Sequence, residues 1–154
     1  MSIDVGSKAP DFALETPGGR MRLSDFAGRK LVLYFYPRDD TPGCTTEAID
    51  FTALADAFAA AQTSVLGVSK DSVASHAKFA QKHGLAVQLG ADPDGATVAA
   101  YGSWVEKSMY GRKSMGIERS TFLIGSDGTI AAVWRKVKVK GHAEAVLLAA
   151  RQLG

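Results

Sequence analysis

The chain carries one cysteine, Cys44, and it stands in Thr41-Pro42-Gly43-Cys44 directly after the apolar run Leu31-Val32-Leu33-Tyr34-Phe35-Tyr36-Pro37. Thr is a good helix N-cap and Pro is favoured at the first helical position, so the cysteine is expected at the third position of a helix that follows a buried strand. The first-turn N–H groups of a helix have no acceptors within it, and the helix dipole adds partial positive charge there. A capping box places a carboxylate at this third position, so a sulfur anion is expected to be stabilised there and to act as a nucleophile at neutral pH. The plain alternative is a small buried hydrophobe.

Strands and helices alternate around that turn. Phe12-Ala13-Leu14 and Met21-Arg22-Leu23 flank Pro17-Gly18-Gly19 as an N-terminal hairpin, and Ser24-Asp25-Phe26 begins a helical turn. After Cys44 a single helix is expected through Phe51, Leu54, Ala55 and Phe58, then a strand at Ser64–Ser69. A helix through Val73, Ala77 and Ala80 ends at Gly84, and a short strand at Val87-Gln88-Leu89, a turn at Asp92–Gly95 and a brief helix to Tyr101 follow. Ser120–Ile124 and Ile130–Trp134 are joined by Ser126-Asp127-Gly128-Thr129, whose Asp-Gly pair is a strong hairpin signal. A closing helix from Ala143 to Leu153 turns Val146, Leu147, Ala150 and Leu153 to one face. The order describes one α/β domain over residues 1–154, a mixed sheet with helices on both faces.

With 154 residues, 46% of them hydrophobic and 22% charged, the composition is that of a globular domain. A net charge of +2 is too small to make nucleic acid or a membrane surface the main partner. The basic stretch Arg135–Lys140 alternates Lys with Val, which reads as a half-buried strand with a lysine-protected outer face. No segment has the length of a membrane span, and Met1-Ser2-Ile3-Asp4 has neither the basic nor the apolar part of a leader, so a cytoplasmic location is expected. One cysteine forms no intramolecular disulfide, which fits a reducing compartment. His76 and His83 stand seven apart and His142 is read as lying in a distant loop, so no i, i+4 pair suggests a metal site, and no glycine-rich phosphate loop or cofactor motif is present.

Three stretches, Tyr34-Phe35-Tyr36-Pro37, Thr41-Pro42-Gly43-Cys44-Thr45 and Gly116–Ile124, together resemble the peroxiredoxins, and within them the bacterioferritin-comigratory or PrxQ subfamily. The similarity extends over nearly the whole chain and includes Gly6–Phe12 and Trp104-Val105-Glu106-Lys107. It implies a thioredoxin-like fold and reduction of hydrogen peroxide or alkyl hydroperoxides. On the matching positions it implies that Cys44 attacks the peroxide and becomes a sulfenic acid, that Thr41 orients peroxide or thiolate through its hydroxyl, and that Arg119 lends a permanent cation to the sulfur and the departing oxygen. Pro37 would shield the sulfur and fix the loop, backbone amides at Gly43 and Cys44 would bind peroxide oxygens, and Glu47 matches a polar position frequent in the family. Each also has a plainer role: Thr41 as N-cap, Arg119 and Glu47 as solvated charges, Pro37 as a strand terminator. Trp104, Met109 and Tyr110 could wall a pocket for apolar peroxides or simply cover core.

Many members of that family carry a resolving cysteine five residues after the first or on the next helix, where this chain has Ile49 and, approximately, Ala80. With no resolving cysteine, the sulfenic acid must be reduced by an external thiol or by a second chain, with thioredoxin, glutaredoxin or glutathione as the expected reductant. A monomer is expected. The competing reading from another class is a non-enzymatic peroxide sensor or redox-regulated partner-binding protein, which would react once rather than turn over. A cysteine hydrolase is the poorer third reading, since no histidine adjoins Cys44 in sequence.

Overall fold

A computed structural model describes residues 3–153. Its framework is a seven-stranded mixed sheet in the order β2-β1-β5-β4-β3-β8-β9. β3 (Lys30–Phe35), β4 (Thr63–Ser69) and β5 (Gln88–Ala91) run parallel at the centre. β8 (Ser120–Ile124) and β9 (Ile130–Trp134) continue antiparallel on one side, while β1 (Ala13–Thr16) and β2 (Gly19–Arg22) form the expected N-terminal hairpin at the other. This is the thioredoxin-like arrangement implied by the resemblance. β6 (Trp104–Met109) and β7 (Arg112–Ile117) form a separate hairpin.

β3 is buried on both faces, which is why it reads as a continuous apolar run rather than an alternating one. Leu31, Leu33 and Phe35 point into one core layer, with Val98 and Tyr101 from α4 (Ala96–Ala100) and around it and with Phe26 from the 3-10 turn Leu23–Phe26. Val32, Tyr34 and Tyr36 point into the other. That second layer is closed by α1 (Pro42–Ala53), α2 (Ala55–Ala60), α3 (Val73–His83) and α5 (His142–Gln152), so the helices lie on both faces, unequally shared. The Tyr34 and Phe51 rings stack at 4.8 Å, which fixes α1 against β3. Tyr34 needs Gly67 opposite it on β4, because a Cβ there would lie 2.6 Å from the phenol ring.

Three expectations change. The single helix through Phe58 is two, since Leu54 (φ −102°, ψ 9°) leaves helical geometry between α1 and α2 and caps both. Arg135–Lys140 is a loop, not a strand: Lys136 takes a left-handed φ of 49°, and the Val137 N–H turns to the Arg119 carbonyl at 3.0 Å. The Lys/Val alternation persists only as exposed lysines and half-buried valines. His142 is not in a loop but is the first residue of α5, buried between Phe51 and Trp134.

Candidate active site

Thr41 is the N-cap of α1 (φ −94°, ψ 155°) and Pro42 its first residue, so Cys44 occupies the third helical position as the sequence predicts. Pro42 has no N–H, and the N–H groups of Gly43 and Cys44 meet no backbone acceptor among the described residues, the first such bond being Thr45 N–H to the Thr41 carbonyl at 2.8 Å. Two free donors therefore point outward beside the sulfur. The Cys44 side chain itself is 2% exposed.

The cation arrives from the far side of the sequence by strand register. β8 pairs antiparallel with β3, and Phe35 lies opposite Ser120, so the residue preceding β8, Arg119, emerges where β3 gives way to the Cys44 turn. Its backbone is held there because the Arg119 carbonyl accepts from Val137 N–H and the neighbouring Glu118 N–H donates to the Ser103 carbonyl at 2.7 Å. Arg119 Nη2 donates to Cys44 Sγ at 3.3 Å, and Nη1 donates to Glu47 Oε1 at 2.6 Å. One guanidinium thus bridges sulfur and carboxylate, a fork geometry that lysine lacks. The guanidinium passes over Gly43, where a Cβ would lie 3.1 Å from Nη2.

Glu47 is one turn beyond Cys44 on α1 and 1% exposed, so the solvated-carboxylate reading is wrong. Burial raises its carboxyl to about 7, although the Arg119 charge and hydrogen bond pull the other way, and its Oε2 has no partner among the described residues. Burial alone would lower the Arg119 guanidinium, but Glu47 and Cys44 outweigh it and hold Arg119 above its ordinary value, a fixed cation. Arg119 is equally no surface charge, its side chain being 16% exposed.

Thr41 is placed beside the site, but its side chain makes no capping bond: its hydroxyl donates to the Arg38 carbonyl at 2.9 Å and makes no hydrogen bond to the sulfur. Pro37 is exposed and follows β3 by two residues, so the strand terminates at Phe35 before the proline. Trp104 packs on the opposite core layer with Lys70 Nζ 4.4 Å above its ring, and Tyr110 is 98% exposed at the β6–β7 tip, so neither contacts the cysteine layer; the Met109 side chain lies outside the described residues. Ile49 is exposed on α1 and Ala80 packs from α3 against the layer that holds Cys44. Among the described residues no group of His, Cys, Asp and Glu is arranged to hold a metal. No helix among them is long and apolar enough to cross a membrane.

Two further residues belong to the surroundings of the sulfur. The buried Tyr34 hydroxyl has no partner among the described residues, and burial followed by the charges of Glu47 and Cys44 raises it above its ordinary value. His142 lies 2.8 Å by Nε2 from Thr121 Oγ1, and burial, with repulsion from Arg119, lowers it to about 4, so it is neutral. Tyr34 was detectable in sequence as the middle of Val32, Tyr34, Tyr36 on the strand face turned to Cys44. His142 was detectable from Gly141, which starts α5 with a left-handed φ of 72°.

A profile of the AhpC/TSA family matches residues 5–133. The chain is 51% identical over 148 residues to the putative peroxiredoxin Bcp of Coxiella burnetii, covering 96% of this chain and 98% of that protein. It is 48% identical over 143 residues to the peroxiredoxin Bcp of Bacillus subtilis, covering 92% and 91%. Among solved structures, the bacterioferritin comigratory protein of Xanthomonas campestris, described for its alkyl peroxide reduction activity, superposes with a TM-score of 0.90 at 47% identity, covering 97% of this chain and 96% of that one. A cysteine-to-serine variant of Xylella fastidiosa PrxQ superposes with a TM-score of 0.93 at 41% identity, covering 99% and 98%.

Proposed function

Since this chain belongs to the AhpC/TSA family, in its Bcp/PrxQ peroxiredoxin branch, we propose that it is a one-cysteine thiol peroxidase in which Cys44, Arg119, Glu47, Thr41 and the Gly43 and Cys44 amides act as one site. The substrates are hydrogen peroxide and alkyl hydroperoxides, the latter by analogy with the Xanthomonas protein. The observation that carries the reading is the 3.3 Å contact of Arg119 Nη2 with Cys44 Sγ at the open end of α1.

The Cys44 thiolate attacks the terminal oxygen of the hydroperoxide. The S–O bond forms as the O–O bond breaks, Cys44 becomes a sulfenic acid, and the departing oxygen takes a proton and leaves as water or an alcohol. Negative charge moves from sulfur to that oxygen, so donors aimed at both stabilise the transition state: Arg119 and the two free amides of the first turn. The Thr41 hydroxyl proton is engaged by Arg38, which leaves its oxygen as an acceptor to orient the O–H of the incoming hydroperoxide. Glu47 holds the guanidinium in place. Burial raises the Glu47 carboxyl, so it offsets the guanidinium's field on the sulfur less than an exposed carboxylate would. Pro37 fixes the start of the loop by removing an N–H at the strand end.

With one cysteine in the chain, the sulfenic acid is resolved from outside. An external thiol attacks its sulfur, forming a mixed disulfide and releasing water. A second thiol then attacks that disulfide, returning Cys44 and carrying away the oxidised reductant. Thioredoxin, glutaredoxin and glutathione are the reductant classes with this chemistry, and a reducing cytoplasm supplies them to what we take to be a monomer. The test is a peroxidase assay with each reductant, comparing the parent with Cys44→Ser and Arg119→Ala. Turnover that needs a thiol and is lost in both variants supports the reading; turnover in Cys44→Ser overturns it.

A further inference from the structure

Asp39 lies in the turn between Pro37 and Thr41, and nothing in the chemistry above uses it, yet it is buried with a full set of partners. Its Oδ1 accepts from the Tyr36 hydroxyl at 2.6 Å, and its Oδ2 accepts from Ser75 Oγ and His76 Nδ1, both at 2.8 Å. His76, on α3, is completely inaccessible, and its other nitrogen, Nε2, donates to the Gly90 carbonyl of β5 at 3.0 Å. The ring is thus held at both nitrogens, between the Gly90 carbonyl and the Asp39 carboxyl, with the Tyr36 hydroxyl 3.3 Å from Nδ1 as well. Burial alone would raise the Asp39 carboxyl, but the hydrogen bonds from His76, Tyr36 and Ser75 more than reverse this and hold it below its ordinary value.

The rest of the turn is tied the same way. The Asp39 N–H donates to Asp71 Oδ2 at 2.8 Å, which also takes Ser69 Oγ at 2.7 Å. Asp40, in left-handed geometry (φ 59°), holds Lys82 Nζ at 2.7 Å and His83 Nε2 at 2.8 Å. The segment leading into the Cys44 helix is therefore fastened to α3 and to the turn before it. The fully buried part of that fastening is His76–Asp39.

Burial of the sulfur makes this matter. A thiol that reduces a Cys44 sulfenic acid must reach the sulfur in line with the S–O bond, and a side chain 2% exposed offers no such approach unless the turn and the start of α1 swing away. The closed form is the one that sets Arg119 against the sulfur, so the oxidation step proposed above, with its much smaller partner, belongs to it. We infer that the buried His76–Asp39 pair is the latch that sets how often the Cys44 turn opens to its external reductant, making His76 and Asp39 positioning residues for the resolving half of the cycle. The inference rests on the one-cysteine reading of Cys44.

A latch has an asymmetric signature. While the closed form stays in the majority, weakening the latch scarcely changes oxidation, but reduction through the open minority rises in proportion to its population. Breaking a buried, fully hydrogen-bonded pair by changing one partner is a large local perturbation, so a rise of about tenfold is expected in reduction. The two rate constants are measured separately by rapid mixing, oxidation with hydrogen peroxide and reduction of the sulfenic acid with excess glutathione, in the parent, Asp39→Asn, His76→Gln, Ser75→Ala and the Asp39→Asn/His76→Gln double variant. Loss of the free thiol in the parent, read first, tests the assignment of Cys44 on its own. The latch predicts reduction about tenfold faster in Asp39→Asn and in His76→Gln, about two- to threefold faster in Ser75→Ala, and no faster in the double variant than in the singles, with oxidation within about twofold throughout. Reduction unchanged, or falling in step with oxidation, overturns it. Should a variant of Asp39 or His76 fail to fold, the direction of change in Ser75→Ala decides.

Discussion

Replacing Arg119 by Ala removes one side chain and two interactions, and their sizes can be worked from the geometry. At 3.3 Å from Sγ, in surroundings with an effective dielectric constant near 20, a unit cation and a thiolate attract by about 5 kcal/mol, with little screening because the guanidinium is mostly buried. Not all of this accelerates the reaction, because the same charge stabilises the resting thiolate. The kinetic share is the part that follows charge onto the departing oxygen, and loss of one such donor costs about 2.7–4 kcal/mol, a factor of 10² to 10³. Arg119→Ala should therefore lower the second-order rate constant for oxidation by hydrogen peroxide 10²- to 10³-fold, read as loss of free thiol after rapid mixing. Arg119→Lys keeps the charge but cannot bridge Sγ and Glu47 Oε1 together, and should fall between the two. A rate constant in Arg119→Ala within threefold of the parent would refute the role given to the guanidinium.

Three further outcomes follow from the same geometry. Glu47 ionises near 7 in the folded chain against an ordinary 4.5, so between those pH values the unfolded chain gives up a proton that the folded chain keeps; stability should fall by up to roughly 3 kcal/mol as pH rises through this window, and thermal melts of Glu47→Gln should lack that fall. Gly43→Ala puts a methyl 3.1 Å from Arg119 Nη2 and should slow oxidation about tenfold with little change in melting temperature, because it displaces the guanidinium rather than the core. Gly67→Ala drives a methyl to 2.6 Å from the Tyr34 ring and should cost about 1–3 kcal/mol in denaturant unfolding, since that ring is stacked on Phe51 and has no free space to enter.

What local chemistry determines was readable in the sequence. Thr41 and Pro42 announce the start of α1, which fixes Cys44 at its third position, and Gly84 ends α3 with φ 61° where a left-handed cap is needed. Asp127-Gly128 marks the β8–β9 turn, and the double-faced burial of β3 explains its unbroken apolar run. The meeting of Arg119 with Cys44 was available only through resemblance, because it is made by the β3–β8 register across 75 residues, and the contact of Arg119 with Glu47, 72 residues away, was not foreseen at all. Arg135–Lys140 has a strand pattern but no strand geometry, since Lys136 turns left-handed and Val137 bonds to Arg119 instead of a strand partner. The β6–β7 hairpin gave no signal because its strands are largely exposed and charged and its turn is Tyr110-Gly111, not Asn-Gly or Asp-Gly. His76 looked like one histidine on a helix face, because its partner Asp39 is brought to it by the return of the chain from β4.

In the proposed cycle a single sulfur takes the oxygen and a thiol from outside removes it. Intact-protein mass spectrometry after one equivalent of hydrogen peroxide in the presence of glutathione reads both halves of that cycle at once. One glutathione joined by a disulfide to Cys44 is expected, absent in Cys44→Ser and released by further thiol with recovery of the parent mass. A protein that consumes peroxide through many turnovers while never carrying a thiol adduct on Cys44 would contradict it.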